Sequence, residues 1–413
     1  MFLNKMKAVA INLKPATILT AASVLVQVTG LLALPLITRL YPVEALGQLA
    51  IILSAAACLS VMMTAKLELT IFVKDSAALV ADVLGAILLL CLTVSFIVLI
   101  AAASMASFGI ISFQYVPLTV YSCLLAVGMA LLPTTQAIAN KMRAYGEIAY
   151  SRFLFGVSNN VLQVVIPLLL TANIKSLVLA QVVASIVTIR VVAWKWIKLA
   201  NFQVQNLRVQ LRRNSNHALF LSANSILALL YNQAIPLLLA LYFPLEQLAV
   251  YFLVQRMIGP PTLMLSNVGL EIIRGGLAEP ERSQKMWTYR KVVVILVVIS
   301  AAFIAVSMLI PEAVFSYVFG DAWGRVTFIL TPIFMIYSSK MVSSPMSHVF
   351  IYLSRQREAF IFVLMLAAMS ATSIIVCGSL GLDFVDTVTL NAAAIFFGNV
   401  VYAVRCHWLV RRI

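Results

Sequence analysis

Charge is what this sequence has least of. Only 10% of its 413 residues are Asp, Glu, Lys or Arg, and 63% are hydrophobic. A soluble chain of this length carries roughly a quarter charged residues and divides into two or three domains. That class is excluded. Acids are scarcer than bases, 14 against 29, and no acid falls in the middle of an apolar run. His217, His348 and His407 are far apart, each near the end of such a run. Cys58, Cys91, Cys123, Cys377 and Cys406 stand singly, with no Cys-x-x-Cys. They read as small core hydrophobes, which excludes a disulfide framework and a thiolate metal site. There is no metal-ligand spacing, nucleophile elbow or glycine-rich phosphate loop. Polymerases and ligases acting on membrane glycolipids need a sizeable external loop, and none here is long enough. The chain is therefore expected to be no enzyme, with no catalytic residue, metal or cofactor.

What is present is a succession of apolar runs. A span needs about 20 apolar residues to cross about 30 Å of hydrocarbon. Runs of that length lie at 16–38, 46–64, 79–103, 116–138, 149–172, 176–196, 217–243, 247–270, 291–310, 326–352, 359–380 and 387–408. The expected fold class is an all-α integral membrane protein of about twelve spans. Lys5, Lys7 and Lys14 resemble the basic start of a signal peptide. The apolar run after them is too long for one and no small-residue cleavage site follows, so it is read as an uncleaved first helix.

A net charge of +15 would suggest nucleic acid in a soluble protein. Its distribution here says otherwise. With the N-terminus in the cytoplasm, Arg39, Lys175 and Arg325 face outward, and Arg256 and Lys340 fall inside spans. Every other Lys and Arg falls on the cytoplasmic side. The segment 190–213 alone carries Arg190, Lys195, Lys198, Arg208, Arg212 and Arg213, whereas 104–115 carries no charge. The asymmetry predicts N-in and C-in, with attraction to anionic lipid and no nucleic-acid partner.

The spans fall into two similar halves. Pro35, Tyr41, Pro42, Glu44 and Leu46 match Pro236, Tyr242, Pro244, Glu246 and Leu248 after one inserted residue. A helix later, Leu67-Glu68-Leu69 aligns with Leu270-Glu271-Ile272, each read as the end of its helix. Six spans per half is an even number, so both halves enter from the same side as parallel repeats. The expected division is an N-terminal lobe at 1–200, a linker at 201–216 and a C-terminal lobe at 217–413. Val204, Leu207 and Leu211, set among Arg208, Arg212 and Arg213, fit either a short amphipathic surface helix or a solvated linker.

The stretch Pro-Leu-Ile-Thr-Arg-Leu-Tyr-Pro-x-Glu-x-Leu-Gly at 35–47 resembles the helix 1–2 corner of bacterial polysaccharide exporters. These are the Wzx-type O-antigen and capsule flippases, within the group that also holds multidrug/cation antiporters (MATE-like) and the peptidoglycan-precursor flippase. Lys66-Leu67-Glu68-Leu69 is similar to the stretch ending helix 2 there, although Leu67 stands where an aromatic is usual. Tyr231-Asn232-Gln233, Pro236 and Leu237, then Arg256 and Pro260, resemble the start of that family's second lobe. The resemblance implies a flippase in the bacterial inner membrane, moving undecaprenyl-diphosphate-linked oligosaccharides for surface polysaccharide by alternating access between two six-helix lobes. It implies as partners the lipid-linked glycan, the bilayer and polysaccharide polymerase or chain-length machinery.

The polar residues within spans are the candidate site. A charge at the bilayer centre costs about 2.5–3.5 kcal/mol on insertion scales, so such residues face a wet cavity or a partner. Lys340 lies near the middle of the tenth span and Arg256 about a third of the way down the eighth. With Arg39 at the outer mouth and Arg152 at the inner, they give a cationic lumen suited to phosphate. Tyr337, Lys340, Ser344 and His348 share one helical face. Gln27, Asn159, Gln163 and Asn232 lie on other stripes, lining a lumen or gluing helices together. Glu68 and Glu271, with Lys66 and Arg274, are either an inner gate, a proton- or sodium-coupling site, or ordinary boundary residues. Two other functions stay open: a cation-coupled multidrug antiporter, which wants deep carboxylates, and a non-transporting scaffold, which has no need of a buried lysine.

Overall fold

The computed structural model describes residues 2–72, 77–109, 112–194 and 218–411. Its long elements are the helices α1 (Phe2–Leu40), α2 (Val43–Thr64), α3 (Ala77–Ser107), α4 (Val116–Lys141), α5 (Tyr145–Leu169) and α6 (Ile174–Thr188). They continue as α7 (Ala218–Tyr242), α8 (Leu245–Leu277), α9 (Arg282–Leu309), α10 (Thr327–Met346), α11 (Gln356–Ser379) and α12 (Phe384–Val410). Each coincides in order with an expected span. Among the described residues eleven candidate spans are long and apolar enough to cross a bilayer, and the described apolar part of α7, Ile226–Tyr242, is shorter. The chain is an all-α membrane protein with about twelve spans. Helices are the natural outcome, because hydrocarbon offers no partner to a backbone N–H or C=O and a helix satisfies both internally. Leu92, Phe96 and Ile97 of α3 are about two-thirds exposed, as a lipid-facing surface requires.

Both matched corners have the same local form. α1 stops at Leu40 and α7 at Tyr242, one residue bends, and Pro42 or Pro244 stands as N-cap of the next helix with extended ψ. The ring forbids an N–H in the preceding helical ladder and disfavours helix for the residue before it. Glu44 and Glu246 then lie in the first turns of α2 and α8, at the positive ends of those dipoles.

The second matched pair does not share its conformation. α2 ends at Thr64, because Ala65 and Lys66 take left-handed φ of 43° and 56°, and Glu68 sits in the 3-10 turn Leu67–Phe72. Glu271 lies inside α8, which runs unbroken to Leu277. The Leu-Glu alignment therefore marks no common helix end. The connection between the expected spans 291–310 and 326–352 has structure of its own. It holds the short helix Glu312–Phe319 and a 3-10 turn at Asp321–Val326, with Phe315 and Trp323 buried. Gly320, at φ 105°, makes the turn between them.

The chain divides into two compact units, one of residues 1–42 and 51–222, the other of 43–50 and 223–413. The expected linker at 201–216 lies outside the described residues. In the first unit α1 packs on α5 and α5 on α6. Its core gathers Ile52, Met63, Ile71, Leu84, Ile87 and Leu125. In the second, α10 is the hub, packed against α8, α9 and α12, with Tyr289, Met341, Phe350 and Tyr402 in the core.

Candidate functional site

The two sides of α10 are chemically different because their residues repeat at helical spacing. On one side Ser338, Ser339 and Ser343 are buried, bonded to neighbours through the Ser338 backbone carbonyl and the Ser339 and Ser343 hydroxyls. Ser300 Oγ donates to the Ser338 carbonyl (2.8 Å), Ser343 Oγ to Asn399 Oδ1 (2.7 Å), and Asn399 Nδ2 to Ser339 Oγ (3.1 Å). This seam fastens α9 and α12 to the hub. On the other side stand Tyr337 and Lys340.

Lys340 reaches α7. Its Nζ donates to Asn232 Oδ1 at 2.6 Å, and Asn232 Nδ2 in turn donates to the Ala228 carbonyl at 2.7 Å. The second bond fixes the amide so that its oxygen points at the ammonium. The Tyr231 ring lies 4.6 Å from Nζ and the Tyr337 ring 5.8 Å, both within cation–π range. Tyr251 of α8 lies beside both tyrosines. Gln255 reaches Tyr337, and Gly259, a turn further on, packs on its ring. The Tyr231 side chain is 7% exposed and its hydroxyl has no hydrogen-bond partner. Asn232, by contrast, is exposed and Lys340 partly so. The ammonium is therefore held by neutral dipoles and aromatic faces at an accessible position. None of the ion pairs among the described residues includes it.

Of the other expected site residues, Arg256 follows Gln255 on α8, its guanidinium 5.6 Å from the Phe252 ring. In the first unit Gln163 Nε2 donates to Asn159 Oδ1 (3.2 Å), so these two amides pair along α5. The neighbouring Asn160 does the cross-helix work. It bonds Thr29 Oγ1 (3.2 Å) and packs against Gly30, while Gly156 admits Val26 with no room for a Cβ. Gln27 is half-buried on α1, and Arg39 is exposed at its end. Arg152 is exposed and donates to Gln136 Oε1 (3.3 Å). Glu68 is 6% exposed and lies 3.5 Å from Lys66 Nζ, with its Oε2 unpartnered. Glu271 is exposed and bonded to Arg274 at 2.8 Å. The two acids keep the basic neighbours expected of them, in unlike surroundings. Ser222 and Ser225, which the sequence places on the same helical stripe as Asn232, lie outside the residues whose side chains are described.

The structure also brings together groups that sequence reasoning missed. Tyr251, and Tyr231, which the sequence offered only within the Tyr231-Asn232-Gln233 stretch, complete the Lys340 nest. A separate cavity of about 590 Å³ in the second unit is lined by Glu44, Glu246, Glu312, Asp321, Asp383 and Arg325. Its five acids come from four separate connections of the chain, each unremarkable alone.

No family model matches the chain, and neither does any curated protein. Solved structures do resemble it. An inward-facing multidrug resistance transporter of the MATE family and MOP superfamily superposes with a TM-score of 0.66, at 16% identity, over 95% of this chain and 97% of the other. The lipid II flippase MurJ, in an inward closed conformation, gives 0.73 at 11% identity over 95% and 87%. A MOP superfamily transporter from Pyrococcus furiosus, described as having a binding pocket of reverse polarity, gives 0.62 at 17% identity over 97% and 95%. At such identities the likeness establishes a shared fold.

Proposed function

We propose that this chain is a flippase for polyprenyl-diphosphate-linked glycans. It would carry undecaprenyl-linked units across a bacterial inner membrane for O-antigen, capsule or exopolysaccharide assembly. The observation that carries this reading is Lys340, an ammonium within a span, held by Asn232 and two tyrosine rings and by no carboxylate among the described residues. A drug or cation carrier needs the opposite sign at depth. A diphosphate can replace the neutral Asn232 oxygen as acceptor and gain a full charge–charge interaction, which low dielectric strengthens. The fold, shared with a lipid II flippase, is compatible with a cargo whose hydrocarbon tail stays in the bilayer. On this reading the site opens alternately to the two sides of the membrane. Delivery to polymerase or chain-length machinery on the far side belongs to the same proposal.

The test is a gene deletion rescued by Lys340→Gln. The deletion should remove one surface glycan and leave its lipid-linked precursor on the cytoplasmic leaflet. The variant, although inserted, should fail to restore export. Normal export by Lys340→Gln would refute the cationic site.

A second reading, cation-coupled antiport, is favoured by the acid-lined cavity around Glu44, Glu246, Glu312, Asp321 and Asp383. The two are separated by cargo. An antiporter expels organic cations against a proton or sodium gradient, and a deletion strain would become drug-sensitive with its glycans intact. Proton or sodium coupling of glycan export would reconcile both features, and dependence of export on either gradient measures it.

A further inference from the structure

α9 has 28 residues, roughly 42 Å of helix, against a hydrocarbon layer of about 30 Å. Its apolar run begins near Val292, so the turns from Arg282 to Lys291 fall in the headgroup layer. That end carries Arg282, Lys285, Trp287, Arg290 and Lys291. Folding adds the end of α12. Arg282 Nη2 donates to the Arg411 carbonyl (2.6 Å), and Arg411 Nε bonds His407 Nε2 (3.2 Å). Arg290 and Arg411 both lie beside His407, whose ring stacks on Tyr289. Lys285 Nζ donates to Tyr352 Oη (3.0 Å).

Arg282, Lys285, Arg290 and Arg411 are thus gathered at one end of α9 and α12. None of the ion pairs among the described residues includes any of them. The acids nearby are engaged elsewhere or stand apart. Glu281 takes Ser283 and Gln284, Glu358 takes Arg355 and Arg405, and Glu279 is exposed in the preceding turn. Trp287, 63% exposed, and Tyr352, 41% exposed, stand beside the cluster, with Lys291 Nζ 4.7 Å from the Trp287 ring. Basic side chains interleaved with half-exposed aromatics at helix ends are the chemistry of a membrane interface.

We propose that this basic end of α9 and α12 binds the phosphate headgroups of anionic phospholipids in the leaflet it faces, which the charge asymmetry assigns to the cytoplasm. The site is independent of the cargo site at Lys340. Phospholipid is the favoured source of phosphate because the cluster sits at headgroup depth and Trp287 is exposed beside it.

The full chain is reconstituted in phosphatidylcholine vesicles containing a minor fraction of brominated phosphatidylglycerol or brominated phosphatidylcholine. Tryptophan quenching is read, and Trp287→Phe identifies the Trp287 contribution. Quenching of that contribution should be about twofold or more stronger with the brominated anionic lipid, and high salt should weaken the preference. The triple variant Arg282→Gln, Arg290→Gln, Arg411→Gln should quench equally with both lipids. The corresponding triple Lys variant, which keeps the charge, should retain the preference. Equal quenching in the unmodified protein overturns the proposal, as does a preference that survives the triple Gln change. Millimolar inorganic phosphate should leave the preference intact. Its abolition at constant ionic strength would make the ligand free phosphate and refute the lipid assignment.

Discussion

At the scale of single residues, Lys340 was legible because its cost is local. A lysine in an apolar run needs a reason wherever the run folds. Its partners were not legible, since Asn232 and Tyr231 lie on another helix and only packing selects them. The nest gives ordered expectations. Lys340→Glu should impair glycan export more than Lys340→Gln, because it reverses the field as well as removing the donor. Export by inserted protein, normalised to its amount in the membrane, measures the ranking. Arg256→Ala should cut export strongly and Arg256→Lys only in part, since lysine keeps the charge and loses the planar fork that grips phosphate. Equal defects in both Arg256 variants would count against a phosphate contact there. Asn160 shows how close residue-scale reading can come and still miss. Asn159 and Gln163 were singled out for their stripe, yet the next amide along makes the α1–α5 contact.

At the scale of elements, helix starts were readable and one helix end was not. Pro42 and Pro244 announce α2 and α8 because proline acts through its own ring. The end of α2 is imposed on Ala65 and Lys66, which have no intrinsic preference for left-handed φ. A non-glycine residue there is strained by about 1 kcal/mol. Ala65→Gly should therefore stabilise the protein by about 0.5–1 kcal/mol, and Ala65→Val should destabilise it by at least as much. The melting temperature in one detergent, compared across the three proteins, gives both signs. Gly47 poses the converse case. A Cβ there would overlap the Leu245 carbonyl, where residues 43–50 meet the start of α8 within the second unit. Gly47→Val should cost about 1–3 kcal/mol through overpacking, visible as a lower melting temperature and less inserted protein. The sequence offered that glycine only as part of a motif, and the backbone contact supplies its reason.

At the scale of the whole molecule, the charge asymmetry predicts that both termini and the segments near Arg143, Arg213, Arg282 and Arg357 are cytoplasmic. Single cysteines introduced there, in a background with the five native cysteines replaced, should resist an impermeant thiol reagent added from outside. Labelling at any one of them would break the N-in, C-in topology. The number and order of spans were fixed by composition, because hydrophobic length against bilayer thickness and the positive-inside bias are properties of contiguous sequence. So was the presence of a cation within a span that has no acid of its own. Tertiary structure alone decided which neutral groups hold that cation. It also decided that α10 is the hub of its unit, that acids from separate corners line one cavity, and that Arg411 joins the basic end of α9. Those pairings join residues scores of positions apart, and they follow from how helices pack side by side in lipid. There hydrophobicity no longer discriminates one neighbour from another, so small residues, amides and close van der Waals fit choose instead.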